Sequence, residues 1–215
     1  MPSTRITRLR ELQVEDRAAL DSLIDGTVVG HVGLVVDYTP MVVPTAIVRE
    51  HDSLFVHGST GSRWMRAVAR GAPACVAVTA LDGVVVARSV FESSMRYRSA
   101  VLYGRFERLE DGRKARALEV IVDKLIPGRA AEVRPSTPAE IGRTMVLSMP
   151  ITTWSLKVSD GWPEDPEPDV EGPAWAGVVP FALRALPALP APDLRPGIPV
   201  PPSVVALGRR GSGGA

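Results

Sequence analysis

Residues 53–69 read Ser53-Leu54-Phe55-Val56-His57-Gly58-Ser59-Thr60-Gly61-Ser62-Arg63-Trp64-Met65-Arg66-Ala67-Val68-Ala69. An apolar strand run, a Gly/Ser/Thr turn and a helix run follow one another without a break. A strand that ends in such a turn and opens a helix presents free backbone N–H groups at the positive end of the helix dipole. Ser59, Thr60 and Ser62 add hydroxyls, and Arg63 adds a cation that can grip an oxyanion with two hydrogen bonds. The stretch therefore points to a phosphate-bearing ligand held at the turn. It is neither a Walker loop, because no Gly-Lys-Ser/Thr follows at the required spacing, nor a G-x-G-x-x-G turn.

Outward from this stretch the pattern is mostly strand. Val14 to Asp25 predicts a helix with Leu20, Leu23 and Ile24 on one face and a stop at Gly26. Val28 to Val36 and Met41 to Val48 predict a hairpin around Asp37-Tyr38-Thr39-Pro40. Cys75 to Ala80 and Val84 to Phe91 predict a second hairpin around Asp82-Gly83. A strand from Ala100 to Tyr103 follows, with Gly104 as a bulge. Leu118, Ile121, Val122 and Leu125 recur at helical spacing. Thr137-Pro138-Ala139-Glu140 is a capping box that opens another helix. Ile151 to Val158 predicts the last strand. Antiparallel strands with few helices suggest a small closed or partly closed barrel, and strands that do not alternate with helices argue against a doubly wound nucleotide fold.

The composition narrows the functions. The chain has 215 residues, 45% of them apolar, and 25 basic against 24 acidic side chains. No block of like charge stands out, which argues against a nucleic-acid or anionic-membrane surface. The single cysteine, Cys75, excludes an internal disulfide and a cysteine metal cluster, and its apolar neighbours suggest a buried small residue. His31, His51 and His57 lie on different elements without metal-ligand spacing. The expectation is a cytoplasmic protein, with no signal peptide and no apolar run of spanning length. Twelve of the 20 prolines lie between Gly161 and Pro202. The chain thus divides into a domain over residues 1–159 and a proline-rich arm over 160–215. Trp162, Trp175 and Phe181 favour packing of its first half, and the tail from Gly208 reads as disordered.

Four stretches, taken in order, resemble the pyridoxamine 5′-phosphate oxidase-like split-barrel proteins, and most closely their flavin-nucleotide-binding and nitroimidazole-resistance-like branch. They are Val43-Pro44-Thr45-Ala46-Ile47-Val48, Phe55 to Arg63, Arg96-Tyr97-Arg98-Ser99-Ala100-Val101-Leu102-Tyr103-Gly104, and Trp175-Ala176-Gly177-Val178-Val179-Pro180, with Leu125-Ile126-Pro127-Gly128-Arg129 between the last two. The resemblance implies a six-stranded antiparallel split β-barrel with flanking helices, a homodimer, and FMN at the subunit interface. It implies that Pro44, Thr45, Ala46 and Ile47 run along the flavin ring and that His57 and Gly58 line it. Ser62 and Arg63 would hold the phosphate, and Arg98 and Ser99 would reach the flavin across the dimer. Trp64 stands where the oxidase itself often has a phosphate-binding lysine, and the residues that bind pyridoxal phosphate there have no counterpart.

No Ser/His/Asp set can be assembled, so no catalytic residue is assigned. A flavin needs none, since it carries the redox chemistry itself. The function expected is an FMN-dependent oxidoreductase acting on a small molecule. The alternatives are a non-catalytic flavin-binding or sensor module, or a deazaflavin- or haem-using relative on the same fold. The bland readings are a solvated helix start for Arg63, an edge-strand packing pair for Tyr97 and Arg98, and a core position for Trp154.

Overall fold

The computed structural model describes residues 6–209. The tail expected to be disordered lies outside the described residues from position 210 onward. Helix α1, Arg17–Gly26, is capped by Asp16, whose carboxylate accepts from the Ala18 amide at 2.9 Å. Leu20, Leu23 and Ile24 share its inner face and are fully buried. Strands β1, Val29–Val36, and β2, Thr39–Ala46, form the first hairpin. Its turn is tighter than the sequence suggests. Val36 pairs directly with Thr39, and Asp37 and Tyr38 both take left-handed φ values of 48° and 62°. A two-residue turn of that kind matches the right-handed twist of the strands it joins.

Next come β3, Val48–Glu50, β4, Ser53–Ser59, and the short helix α2, Arg63–Ala69. The sequence then departs from its pattern. Pro73 to Val86 is one continuous strand, β5, and Asp82-Gly83 is a bulge within it instead of a hairpin turn. Leu81 pairs with Tyr97 and Gly83 with Arg96, so Asp82 is the extra residue. The hairpin partner is β6, Ser94–Arg105, reached through a loop that contains Phe91. Gly104 stays in register with Ala74 and forms no bulge. Asp-Gly marks special backbone correctly but not its kind. Gly83 is needed because a Cβ there would lie 2.6 Å from the Val179 carbonyl oxygen of a strand arriving from the arm.

After β7, Glu107–Arg108, helix α3 spans Asp111–Leu125 and helix α4 spans Pro138–Arg143. Helix α4 has the full capping box: Thr137 accepts from the Glu140 amide, and Glu140 accepts from the Thr137 amide. The strand expected over Ile151 to Val158 is β9, Thr153–Ser159, and it is preceded by β8, Thr144–Pro150, which the sequence pattern did not mark. The arm adds helix α5, Glu167–Val170, strand β10, Gly177–Pro180, and helix α6, Pro202–Gly208.

All ladders are antiparallel. The larger sheet has six strands in the order β2-β1-β5-β6-β9, with β10 paired to the far half of β5. The smaller sheet has the order β3-β4-β8-β7. No ladder closes the two into a single barrel among the described residues. The main core lies between the sheets and includes Val32, Ile47, Val56, Val76, Leu102 and Leu147. A second cluster of Val48, Phe55, Leu109, Ala117, Ile121 and Val146 lies under α3.

Gly83→Ala forces a methyl group against the backbone of Val179. It should destabilise the docked β10 by about 1–3 kcal/mol, the range for overpacking a filled site. Limited proteolysis should then cut near Trp175 at least about tenfold faster, while cleavage of the sheets is unchanged. Equal cutting of both proteins would show that the arm does not depend on this close approach.

Candidate functional site

The turn between β4 and α2 is built differently from a plain open cradle. Its own amides are already used: Thr60 N–H donates to the Arg143 carbonyl at 3.1 Å, Gly61 N–H to Ser59 Oγ at 3.1 Å, and Ser62 N–H to the Ser59 carbonyl at 3.0 Å. These bonds make the turn rigid. The open donors lie one step further on. The amides of Arg63, Trp64 and Met65 begin the helix and have no intrahelical acceptor. Ser62 is the N-cap residue, yet its hydroxyl makes no capping bond. An anion can take the place of the missing cap.

Arg63 stands beside these donors and is not free. Its Nη2 lies 2.6 Å from Asp37 Oδ2, so it ties α2 to the β1–β2 turn. Both side chains are largely exposed, and such a pair contributes little. An incoming phosphate can therefore compete for Arg63.

The other expected site residues fall in several places. Pro44, Thr45 and Ala46 lie on β2, the edge strand of the large sheet, with Pro44 exposed and the other two half-buried. Prolines belong on an edge strand, whose outer N–H groups have no ladder partner. Ile47 is fully buried, and its side chain fills the space over Gly30, where a Cβ would come within 2.7 Å of it. Its side chain is core. Arg98 on β6 is held by two bonds to the bulge residue Asp82, Nε to Oδ2 at 2.9 Å and Nη2 to Oδ1 at 2.7 Å. The guanidinium keeps the Asp82 carboxyl below the usual aspartate range. Ser99 Oγ lies 3.5 Å from Thr79 Oγ.

His57 and Gly58 sit on β4 in register with Val146 and Met145 of β8. His57 shares the face of Phe55, the side that α3 covers. It lines a cavity of about 220 Å³ together with Leu118, Ile121 and Val122 of α3. Arg134 and Glu140 line it too, joined by two bonds of 2.9 and 2.7 Å. Arg134, and next the Thr137 amide and hydroxyl, hold the Glu140 carboxyl well below its ordinary range. His57 Nδ1 is buried without a hydrogen-bond partner. Burial also lowers the imidazole pKa. The cavity includes none of the other nine expected residues. A second, larger groove of about 980 Å³ is lined by Leu34, Val35, Met41, Val42 and Tyr103, and also by Cys75, which is half-buried and not the enclosed core residue its neighbours suggested.

Sequence reasoning missed Asp37, Asp82, Arg134 and the cavity face of α3. The capping box did single out Glu140, but its bidentate pairing with Arg134 spans a loop that no local pattern encodes. Among the described residues, no group of three or more His, Cys, Asp or Glu side chains could hold a metal ion. No helix among them is long and apolar enough to cross a membrane.

Comparison with known proteins identifies the family and the fold. Residues 16–158 match the family model described as pyridoxamine 5′-phosphate oxidase. No curated protein matches the chain. A solved structure of an FAD and haem binding protein from Mycobacterium smegmatis is 49% identical, with a TM-score of 0.89 over 91% of this chain and 97% of that one. The flavocytochrome Anf3 from Azotobacter vinelandii is 36% identical, with a TM-score of 0.89 over 95% of each chain. A 5-nitroimidazole antibiotic resistance protein from Bacteroides thetaiotaomicron is 22% identical, with a TM-score of 0.58 over 68% of this chain and 86% of that one, a likeness of fold alone. The two longer matches cover so much of the chain that they include most of the proline-rich arm. The family model ends before the arm begins.

His57 supplies a test of its cavity. Burial makes the folded state bind the imidazole proton less readily than the unfolded chain does. Stability from this source is complete above the ordinary histidine value of about 6.5 and falls as the pH drops below it. His57→Gln should flatten the stability profile between about pH 6.5 and 5, measured by urea denaturation. An unchanged profile would show that His57 titrates as an open surface group.

Proposed function

The chain belongs to the pyridoxamine 5′-phosphate oxidase family, and from that premise we propose that it is a flavin-dependent oxidoreductase acting on a small molecule as a homodimer. The observation that carries the flavin reading is the full-length likeness to a relative named for binding FAD and haem. It also favours FAD ahead of the FMN expected from the sequence. Both nucleotides carry a phosphate, and the α2 start fits one: three helix amides without acceptors, an uncapped Ser62 hydroxyl and a neighbouring guanidinium. Bound flavin would supply hydride and one-electron chemistry. The chain's own part is to hold the phosphate at Ser62 to Met65, and to leave the outer edge of β2, near Thr45 and Ala46, free to meet a planar ligand. Vitamin B6 oxidation is not part of the reading, since the sequence has no counterpart of the pyridoxal-phosphate-binding residues.

Haem fits the single chain less well. His57 has an unpartnered nitrogen, but its cavity of about 220 Å³ is smaller than the roughly 300–1,000 Å³ of pockets that take drug-sized ligands. The groove of about 980 Å³ has the room and no lining histidine. Neither of these two cavities brings a histidine nitrogen and space for a porphyrin together.

The absorption spectrum of the purified protein tests the cofactor, and thermal shifts with FAD, FMN and riboflavin rank the ligands. Arg63→Ala should weaken FAD binding about ten- to a hundredfold, the effect of lost charge-assisted bonds. Asp37→Asn should strengthen it, because the substitution releases Arg63 and removes a negative charge. Melting without ligand should barely change in either variant, because the pair is a surface one. Riboflavin binding as tightly as FAD, or two variants that behave alike, would remove the phosphate from this turn.

A further inference from the structure

The arm contains a span with no visible reason to be apolar. Residues 179–200 are exposed at every position. Within it Leu183, Leu186 and Leu189 are 98%, 70% and 91% exposed. Their spacing of three is the period of a polyproline II helix, which Pro187, Pro190 and Pro192 favour, so the three side chains form one row along it. Leu194, Ile198 and Val200 continue the apolar content.

Both ends of the span are anchored. At one end β10 pairs with β5, and the Phe181 amide donates to the Asp82 carbonyl at 2.9 Å. At the other, Ser203 is buried, and its amide and hydroxyl donate to Glu132 at 2.9 and 2.5 Å. The extended part runs from residue 182 to 190, about 28 Å at ~3.1 Å per residue. Beyond it the chain turns, with the Leu194 amide donating to the Ala191 carbonyl at 3.0 Å and Gly197 at a φ of 82°. The whole span stays exposed, so its apolar row faces away from its own sheets. Monomeric proteins rarely leave contiguous apolar patches larger than a few hundred Å² uncovered.

The same molecule also carries an uncovered apolar receptor, the groove of about 980 Å³, with Val35 and Val42 exposed at its edge. A strap and a groove on one chain are the two halves of a self-complementary contact, which a two-fold axis closes without leaving an edge. An extended row ~28 Å long and one side chain wide covers ~300–400 Å² on each side of a contact, and two reciprocal contacts bury ~1,200–1,600 Å² in all, within the ~1,200–2,000 Å² of a stable interface.

We propose that the strap of one copy lies across the apolar groove of a second copy, its leucine row facing the wall formed by β1 and β2. This rests on the two-subunit reading above and is independent of the cofactor. The pre-anchored ends reduce the ordering cost that a loose tail would have on binding.

The test uses the full-length protein and two variants: L183S/L186S/L189S in the strap and Val42→Glu in the groove. Both alter exposed side chains, so far-UV circular dichroism should be unchanged. Analytical ultracentrifugation should find a wild-type dimer and at least a hundredfold weaker association for each variant alone. An equimolar mixture of the two should associate more tightly than either, because one intact strap still meets one intact groove. A monomeric wild type would overturn the two-subunit reading and the strap together. A wild-type dimer with unaffected variants, or a mixture that gains nothing, would overturn the strap alone. Variants that dimerise normally but lose their visible absorption bands would show that the strap covers a cofactor instead.

Discussion

The β5–β6 ladder is the constraint on which the other elements depend. Strand β5 is the longest in the molecule and holds two partners in turn along its other edge, β1 beside its first half and β10 beside its second. The bulge at Asp82 lies where that exchange is complete. It bends the strand and leaves one residue unpaired, as bulges do. Here the unpaired residue acts twice. Its carboxylate clamps Arg98 on β6, and its carbonyl accepts the amide that follows β10. A single extra residue thereby fixes both the hairpin register and the docking of the arm.

The candidate site depends on a second junction. Strand β4 belongs to the small sheet and leads straight into α2, which packs back against β1 of the large sheet. The Gly/Ser/Thr turn between them uses its own amides to stay rigid, and the exposed donors are those of the helix. Arg63 and Asp37 then bridge helix and hairpin at the surface. A phosphate would displace a weak internal ion pair, so binding would exchange one partner of Arg63 for another and would not require a new cationic site.

Local signals in the sequence were legible where the chemistry is local. The α1 face, the Thr137–Glu140 capping box and the Gly/Ser turn each follow from residues within one or two turns of chain, and each is present. Asp82-Gly83 misled because a hairpin turn and a bulge draw on the same residues, and only the distant Val179 decides between them. Strand β8 was overlooked because Thr144 to Pro150 is buried on both faces at several positions and lacks an alternating pattern. The role of Arg98 shows the same limit: a resemblance assigns it to a ligand, while within this chain its guanidinium already has a bidentate partner. Ile47 likewise belongs to the core by its contacts, although Pro44, Thr45 and Ala46 before it lie on the edge strand β2.

The central claim is that the first turn of α2 receives the phosphate of a flavin nucleotide. Backbone amide NMR of the full-length protein during titration with FAD tests it most directly. The account predicts that the amide signals of Arg63, Trp64 and Met65 shift among the most in the spectrum, that they stop moving at one flavin per chain, and that riboflavin leaves them nearly in place. Saturable FAD binding with those three signals unmoved would contradict it and would place the nucleotide elsewhere on the molecule.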